Sequence, residues 1–217
     1  GQAAPQSQST NLYEFIGYGS YVLSPKVEVN TQISGGFSTN NSTRGVSFMG
    51  ETAKGSYTST NFHFATAIQR QFDVMEGTSL IPSARVDYTW INNGSYTETG
   101  ANVLDLNVAS QSYNVALIGG DGKIRQKLFS DDHHVIANAG VSYYMTPTST
   151  NVLASYQGTP TLQFVTTGLA PSHVMGYAGA GYEYRVSDDL EIVGRYDVAF
   201  QSDYANEMAS LKAKLSF

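Results

Sequence analysis

Long segments of alternating apolar and polar residues constrain this chain more than any other feature of its sequence. The clearest is Leu190–Gln201, which has apolar residues or glycine at every second position and its charged residues, Glu191, Arg195 and Asp197, between them. Successive side chains of a β-strand point to opposite faces of the sheet, so this pattern predicts a strand with one apolar and one charged face. The same sorting recurs in segments 80–91, 175–186 and 207–217.

Strand-like segments follow one another along almost the whole chain. They are 12–23, 26–38, 45–57, 62–74, 80–91, 103–109, 113–127, 135–145, 152–165, 175–186, 190–201 and 207–217. Tilted strands of about 9 to 11 residues cross a bilayer, and a Lys or Arg on the lipid face at the midplane costs about 2 to 4 kcal/mol. A strand in a lipid bilayer is therefore expected to keep its charged residues on the face that points away from lipid. The sequence therefore predicts an all-β fold, a transmembrane antiparallel β-barrel of about 12 strands.

An even number of strands predicts where the connections lie. Both chain ends would emerge on the same side of the membrane, and if the carboxyl end is periplasmic, the connections after the even-numbered strands are periplasmic and short. The longer connections, after the odd-numbered strands, would be extracellular. These connections are 92–102, 128–134 and 166–174.

Length and composition exclude several other kinds of protein. The 217 residues suit one β domain, predicted over residues 12–217 after a flexible polar tail at residues 1–11. No run of about 18 apolar residues is present, which excludes a transmembrane helix. No cysteine is available for a disulfide, and the net charge of -6 argues against a nucleic-acid partner. No leader sequence precedes the first strand, so we expect a mature or excised segment.

The last segment, Glu207–Phe217, resembles the terminal strand of Gram-negative outer-membrane barrel proteins. It reads E-M-A-S-L-K-A-K-L-S-F, with an aromatic residue in phase with the apolar face. In those proteins such a strand closes the barrel against the first strand and is recognised by the barrel-assembly machinery. The resemblance implies an assembly signal formed by Leu211, Ala213, Leu215 and Phe217.

From Ile81 onward the chain resembles the translocator domain of the autotransporters, the type V secretion proteins. The segment I-P-S-A-R-V-D-Y-T-W at 81–90 and the following S-Y-T-E-T-G at 95–100 resemble that family's proline-opened strand and Y-x-E-x-G motif, here Tyr96, Glu98 and Gly100. The stretch M-G-Y-A-G-A-G-Y-E-Y-R-V-S-D-D-L-E-I-V-G-R-Y-D-V-A-F at 175–200 is similar as well. The family's helical linker through the pore has no counterpart in residues 1–10.

The resemblance implies a function, a location and partners. We expect a twelve-stranded barrel in the outer membrane that exports and anchors an N-terminal passenger, without enzymatic activity or cofactors. Its partners would be the lipid bilayer, its own passenger, the barrel-assembly machinery and periplasmic chaperones. A monomer is expected because a closed barrel leaves no strand edge to pair.

Charged and aromatic residues divide between the two predicted faces. Aromatic residues near strand ends on the apolar face predict an interfacial girdle formed by Trp90, Tyr184 and Phe200. The charged residues predicted to face the lumen are Arg85, Asp87, Glu98, Glu183, Arg185, Arg195, Asp197, Lys212 and Lys214. They would either pair to hold strands in register or hydrate and guide a passing polypeptide, and the two roles overlap.

The run Asp131-Asp132-His133-His134 is the one cluster of carboxylates and histidines in the sequence. Neighbouring residues of a strand point to opposite faces, and a polar loop or strand start explains the run without chemistry. We therefore predict no catalytic residue and no metal ligand. The alternative is a stand-alone outer-membrane barrel, either a small porin or a surface protease that uses the region of Asp132 and His134. A soluble β-sandwich or lectin is a third possibility.

Overall fold

A computed structural model describes residues 6–146, 150–168, 172–202 and 204–215. In this part of the chain the fold is all-β, with fourteen strands and one 3-10 turn at Asn102–Leu104. The strands are β1 (Gln6–Ser24), β2 (Val27–Val46), β3 (Glu51–Arg70), β4 (Phe72–Met75), β5 (Thr78–Asn93), β6 (Tyr96–Thr97), β7 (Leu106–Val108), β8 (Gln111–Leu128), β9 (His133–Tyr144), β10 (Asn151–Tyr156), β11 (Gln163–Thr167), β12 (Val174–Arg185), β13 (Leu190–Gln201) and β14 (Tyr204–Leu215). Among the residues described, no helix has the length and apolar character needed to cross a membrane.

Nine long strands form one curled antiparallel sheet, in the order β1-β2-β3-β5-β8-β9-β12-β13-β14. The short β4 pairs only with β5. Every ladder of this sheet is antiparallel, which confirms the predicted all-β antiparallel class. Strands β1 and β14 are its two edges, and within the described ranges no ladder joins them.

The strand boundaries differ from the prediction in the first third of the chain. The predicted strands 26–38, 45–57 and 62–74 form two long strands, because β2 continues in register with β3 to the pair Val46 and Glu51. The chain reverses only at residues 47–50, where Gly50 has a φ of +67°, a conformation that glycine adopts without steric cost. The expected tail also differs from the structure, because β1 begins at Gln6 and pairs with β2 from there.

Four short strands form a second sheet, which we call the loop sheet. It is built from the connections between β5 and β8 and between β9 and β12, in the order β11-β10-β7-β6. The predicted strands 103–109 and 152–165 belong to this sheet as β7, β10 and part of β11 rather than to the main one. The predicted count of twelve barrel strands is therefore not confirmed.

The main sheet has one crowded and one open face. A Cβ added at Gly119, on the polar face, would lie 2.5 Å from the Ser142 hydroxyl oxygen, and one at Gly181 would lie 2.8 Å from Arg195 Cγ. On the apolar face, a Cβ at Gly122 or Gly194 would meet nothing within 4 Å. Side chains converge on the inside of a curved sheet and diverge on the outside. The polar face is therefore concave, and we call it the inner face.

Apolar side chains cover the outer face. One row of register partners runs Val86, Ile118, Tyr143 and Val174 across four neighbouring strands, and all four are largely exposed. A band of exposed apolar residues on every long strand is what a lipid-facing surface requires.

The two ends of the sheet carry different connections. Residues 47–50, 94–110 and 145–173 lie at one end, whereas the short connections at 25–26, 129–132 and 186–189 lie at the other. Long loops are extracellular and short turns periplasmic in such barrels. The predicted extracellular position of 128–134 is wrong. The segment 103–109 does not cross the main sheet, so the connection after β8 changes ends, whereas 166–174 keeps its predicted end because the segment 152–165 does not cross either. Because three predicted strands of the first third form only two, the main sheet has an odd number of long strands, and the described chain ends, Gln6 and Leu215, lie at opposite ends of it.

Candidate functional site

Charged side chains line the inner face of the main sheet. The strand registers place equal numbers of bases and acids on it, nine of each, although the whole chain carries a net charge of -6. The bases are Arg44, Arg85, Lys123, Arg125, Lys127, Arg185, Arg195, Lys212 and Lys214. The acids are Glu14, Glu28, Glu51, Asp73, Asp87, Asp121, Glu183, Glu191 and Asp197. The concave face is thus highly polar but electrically balanced.

Two arginines of this face pair with an aspartate two residues later on the same strand. Arg85 pairs with Asp87, which is only 7% exposed. Arg195 Nη2 lies 2.6 Å from Asp197 Oδ1 and also donates to Asn138 Oδ1 at 2.7 Å, on the far side of β12. Residues two apart share a face of a strand, so the sequence R-x-D already places these partners together.

Another pair reaches across a whole strand. Arg125 of β8 donates from Nε to Glu183 Oε2 of β12 at 2.6 Å, and its Nη2 lies 3.1 Å from His134 Nδ1 on the strand between them. Because Arg125 and Glu183 lie on non-adjacent strands, their contact requires the sheet to be curved. Sequence reasoning missed Arg125 together with Asp121 and Lys123, although these three residues alternate along one face of β8.

Not every predicted lumen residue is paired. Arg185, Lys212 and Lys214 lie on the inner face, but none of them takes part in an ion pair within the described residues. The acidic partners expected for the two lysines are therefore not seen. One carboxylate departs from the sorting: Glu207 lies on the outer face of β14, where it accepts a 2.7 Å hydrogen bond from the Tyr196 hydroxyl.

Glu98 lies outside the main sheet, between β6 and β7, and bonds to Arg44 on the inner face; its role as a lumen residue stays a prediction. It is 3% exposed, and its carboxylate accepts bonds from Arg44 Nε at 3.2 Å and Nη2 at 2.5 Å. The amide of Leu106 donates to the same group at 3.0 Å. Glu98 therefore holds the connection between β5 and β8, the first connection of the loop sheet, against β2 at the extracellular end of the main sheet.

The two other motif residues contact the same hairpin. The Tyr96 ring stacks on Tyr57 at 4.9 Å between ring centroids and covers Gly55, where a Cβ would lie 2.6 Å from the ring. Burial raises the pKa of the Tyr96 hydroxyl, and the charge of Glu98 adds to that rise. Gly100 has a φ of +109°, and a Cβ there would lie 2.5 Å from the Thr52 carbonyl oxygen. Tyr96 and Gly100 of the motif thus attach the loop sheet to β3.

The run 131–134 does not form a site. His134 points to the inner face beside Arg125, whereas His133 stacks on Tyr184 on the outer face at 4.6 Å between ring centroids. Lys127 Nζ donates to Asp131 at 2.9 Å, and this bond lowers the pKa of the exposed Asp131 carboxyl. No group of three or more potential metal ligands comes together in the part of the chain that the structure describes.

Comparison with known proteins identifies the family. The sequence model of the autotransporter beta-domain matches residues 2–197. The chain belongs to this family. A solved autotransporter structure, the translocator domain of NalP from Neisseria meningitidis, has the same fold, with a TM-score of 0.76 at 17% identity. That alignment covers 98% of this chain and 68% of the NalP chain.

Two further comparisons add little. The transport unit of the autotransporter AIDA-I from Escherichia coli aligns with a TM-score of 0.42 at 12% identity, over 99% of this chain and 87% of the other. No curated protein sequence matches the chain significantly. The autotransporter assignment therefore rests on the family match and the NalP fold, which place the domain in the Gram-negative outer membrane.

The autotransporter's predicted girdle and assembly residues lie on the outer face. Trp90 and Phe200 are near the extracellular ends of β5 and β13, and Tyr184 is near the periplasmic end of β12. On the edge strand β14, Leu211, Ala213 and Leu215 point outward, and Leu211 is 79% exposed. Phe217 lies outside the described residues. The roles of all these residues stay predictions.

Proposed function

We propose that the inner face of this outer-membrane translocator lines the path along which the passenger is exported. The domain is an autotransporter translocator, whose task is passenger export. One observation carries the proposal of the path: eighteen charged residues of the main sheet lie on its concave face, whereas the convex face carries mainly apolar residues, and its charged residues Lys54, Arg70 and Glu207 lie near strand ends.

The balance of charge on the inner face suits a polypeptide better than an ion. An exported chain carries acids, bases and unpaired backbone groups, so a wall of one sign would hold part of it tightly. A selective pore instead uses rings of one sign. Ion pairs such as Arg125 with Glu183 keep the wall wet and polar while leaving little net charge. This balance favours translocation over the alternative of a charge-selective porin.

The run of carboxylates and histidines at 131–134 gives no support to a surface protease. Its side chains diverge to two faces, and it lies at the periplasmic end of the sheet. We propose that the domain has no catalytic centre of its own and serves as a transport unit.

Assembly is the finer part of the proposal. The outward apolar residues Leu211 and Leu215 of β14, together with Phe217, would be recognised by the barrel-assembly machinery after periplasmic chaperones deliver the chain. A single copy is proposed to be sufficient for export.

Site-specific photo-crosslinking tests the path. A photoreactive residue is placed at Lys123, on the inner face, or at Ile124, the next residue on the outer face. A passenger joined to the amino end is stalled during export by a stably folded insert. We expect crosslinks to the passenger from position 123 but not from 124. Equal crosslinking from both positions would contradict the proposed path, and a parent chain that exports no passenger would contradict the function itself.

A further inference from the structure

The loop sheet covers the inner face at the extracellular tip of the β2–β3 hairpin. Val46 and Ala53 are inner-face positions of this tip, and they pack with Ala101 and Leu104 in the one apolar cluster of buried residues found among the described ranges. Ala53 and Ala101 are 0% exposed. Because the proposed path follows this face, it is occupied at its outer end.

The structure assigns the loop sheet a role as a gate across the extracellular end of the path, held shut by the ion pair of Arg44 and Glu98. This inference rests on the proposed function. It concerns the residues that regulate the path rather than those that line it.

Glu98 joins three separate segments at the gate. Its carboxylate binds Arg44 of β2 and the Leu106 amide of the first connection. Its main-chain oxygen accepts a 3.1 Å bond from the Gln157 side chain, which belongs to the second connection. Arg44 donates a further bond to the Leu104 carbonyl oxygen at 2.9 Å. Loss of this one carboxylate would therefore remove the charged contact between the first connection and the hairpin, and the second connection is joined to the hairpin through the same residue.

The remaining attachments lie mostly along β3, where the Tyr96 ring stacks on Tyr57, Asn102 Nδ2 donates to Glu51 Oε1 at 3.1 Å, and backbone groups are paired. Lys54 and Thr99 exchange two backbone hydrogen bonds of 2.9 Å, and Gly94 donates one to Thr58. At the opposite side of the loop sheet, all five residues of β11 are exposed, and β11 pairs only with β10 among the described residues. The apolar contact is made mostly by small side chains. A segment with little buried apolar surface and one fastened side opens at low free energy, while the ladders of the main sheet stay intact.

A disulfide can lock the gate. Residues such as Lys54 and Thr99, which exchange both backbone bonds, have Cα atoms about 5.5 Å apart, within the range of about 4.4 to 6.8 Å that a disulfide spans. The chain has no cysteine of its own, so the double variant Lys54→Cys/Thr99→Cys forms a single defined crosslink. The control pair, Asn41→Cys/Ser56→Cys, joins β2 to β3 on the outer face without touching the loop sheet.

The experiment measures the conductance of the purified domain in planar bilayers, before and after reduction. The oxidised double variant is expected to conduct at least tenfold less than its reduced form, with no change for the control pair. Glu98→Gln is expected to raise the open probability at least tenfold, because a largely buried cation loses its charged partner. A heat-modifiable band on gels confirms that each variant is folded.

The outcomes separate the gate from the function. Equal conductance of the oxidised and reduced double variant, or an unchanged open probability for Glu98→Gln, would overturn the gate. Export of a passenger by the parent chain would still support the proposed function in that case. Failure of the parent chain to export would instead remove the function on which the gate rests.

Discussion

A lysine in the middle of the outer face should destabilise the domain strongly in a bilayer. Val86 is suited to this test because it lies between Thr66 and Ile118 in the register of the outer face, midway along the outward residues of β5. A lysine at the bilayer midplane of a barrel costs about 2 to 4 kcal/mol. At a factor of ten for each 1.4 kcal/mol, this corresponds to a shift of about 30- to 700-fold in the unfolding equilibrium.

Two matched substitutions make the result specific. Ala65→Lys places the same charge on the inner face, where Ala65 is the register partner of Asp87, and should cost less than about 1 kcal/mol. Leu80→Lys lies on the outer face near the periplasmic end of β5 and should cost about 0 to 1 kcal/mol. Comparison of the three substitutions therefore distinguishes the energetic effect of the sheet face from that of the depth in the bilayer.

The chain supplies its own probe for this measurement. Trp90 is the single tryptophan of the sequence, and its fluorescence reports unfolding from lipid vesicles during a guanidinium titration. We expect the free energy of unfolding to fall most for Val86→Lys. If Ala65→Lys costs as much as Val86→Lys, or if Val86→Lys costs less than about 1 kcal/mol, the assignment of the two faces is refuted.

Two further predictions concern the contact of Gly100 with β3 and the ion pair of Arg125 with Glu183 on the inner face. Gly100→Ala should destabilise the loop sheet by about 1 to 3 kcal/mol, because Gly100 has a φ of +109° and the new Cβ would meet the Thr52 carbonyl oxygen. Hydrogen exchange of residues 94–110 measures this loss, and Gly122→Ala is the control. Arg125→Met should cost about 1.5 to 3 kcal/mol by leaving Glu183 without its partner. Adding Glu183→Gln should restore part of that loss in a double-mutant cycle, and full additivity would contradict the pairing.

The faces of the strands could be read from the sequence because the pattern that defines them is local. Alternation in segments such as 190–201 requires only that side chains of a strand point to opposite sides. The same argument correctly places Arg195 and Asp197 together on one face, where they pair at 2.6 Å. The alternation does not predict the contact of Arg125 with Glu183 across β9. This contact depends on the curvature of the sheet, which brings together residues of non-adjacent strands.

Strand pairing and the loop sheet could not be read in this way. The polar segment 38–45 has the composition of a turn, but register with β3 keeps it extended until Gly50 permits the reversal. Glu98 is predicted to face the lumen from its charge alone, and the sequence does not show that it belongs to a connection outside the main sheet. Its position depends on Arg44, which is 54 residues away along the chain. Partners at such distances leave no periodic signal in a single sequence.

Quenching of Trp90 by lipid tests directly whether the outer face of the main sheet lies in the bilayer. The domain is refolded into vesicles whose lipids carry bromine either near the headgroup or near the bilayer centre, and a variant with Trp90→Phe and Ala65→Trp moves the probe to the inner face. We expect strong quenching of Trp90 by brominated lipid, greatest with bromine near the headgroup, and quenching of the inner-face tryptophan by aqueous acrylamide instead. Acrylamide quenching of Trp90 without quenching by brominated lipid would contradict a membrane-spanning sheet with its apolar face in lipid.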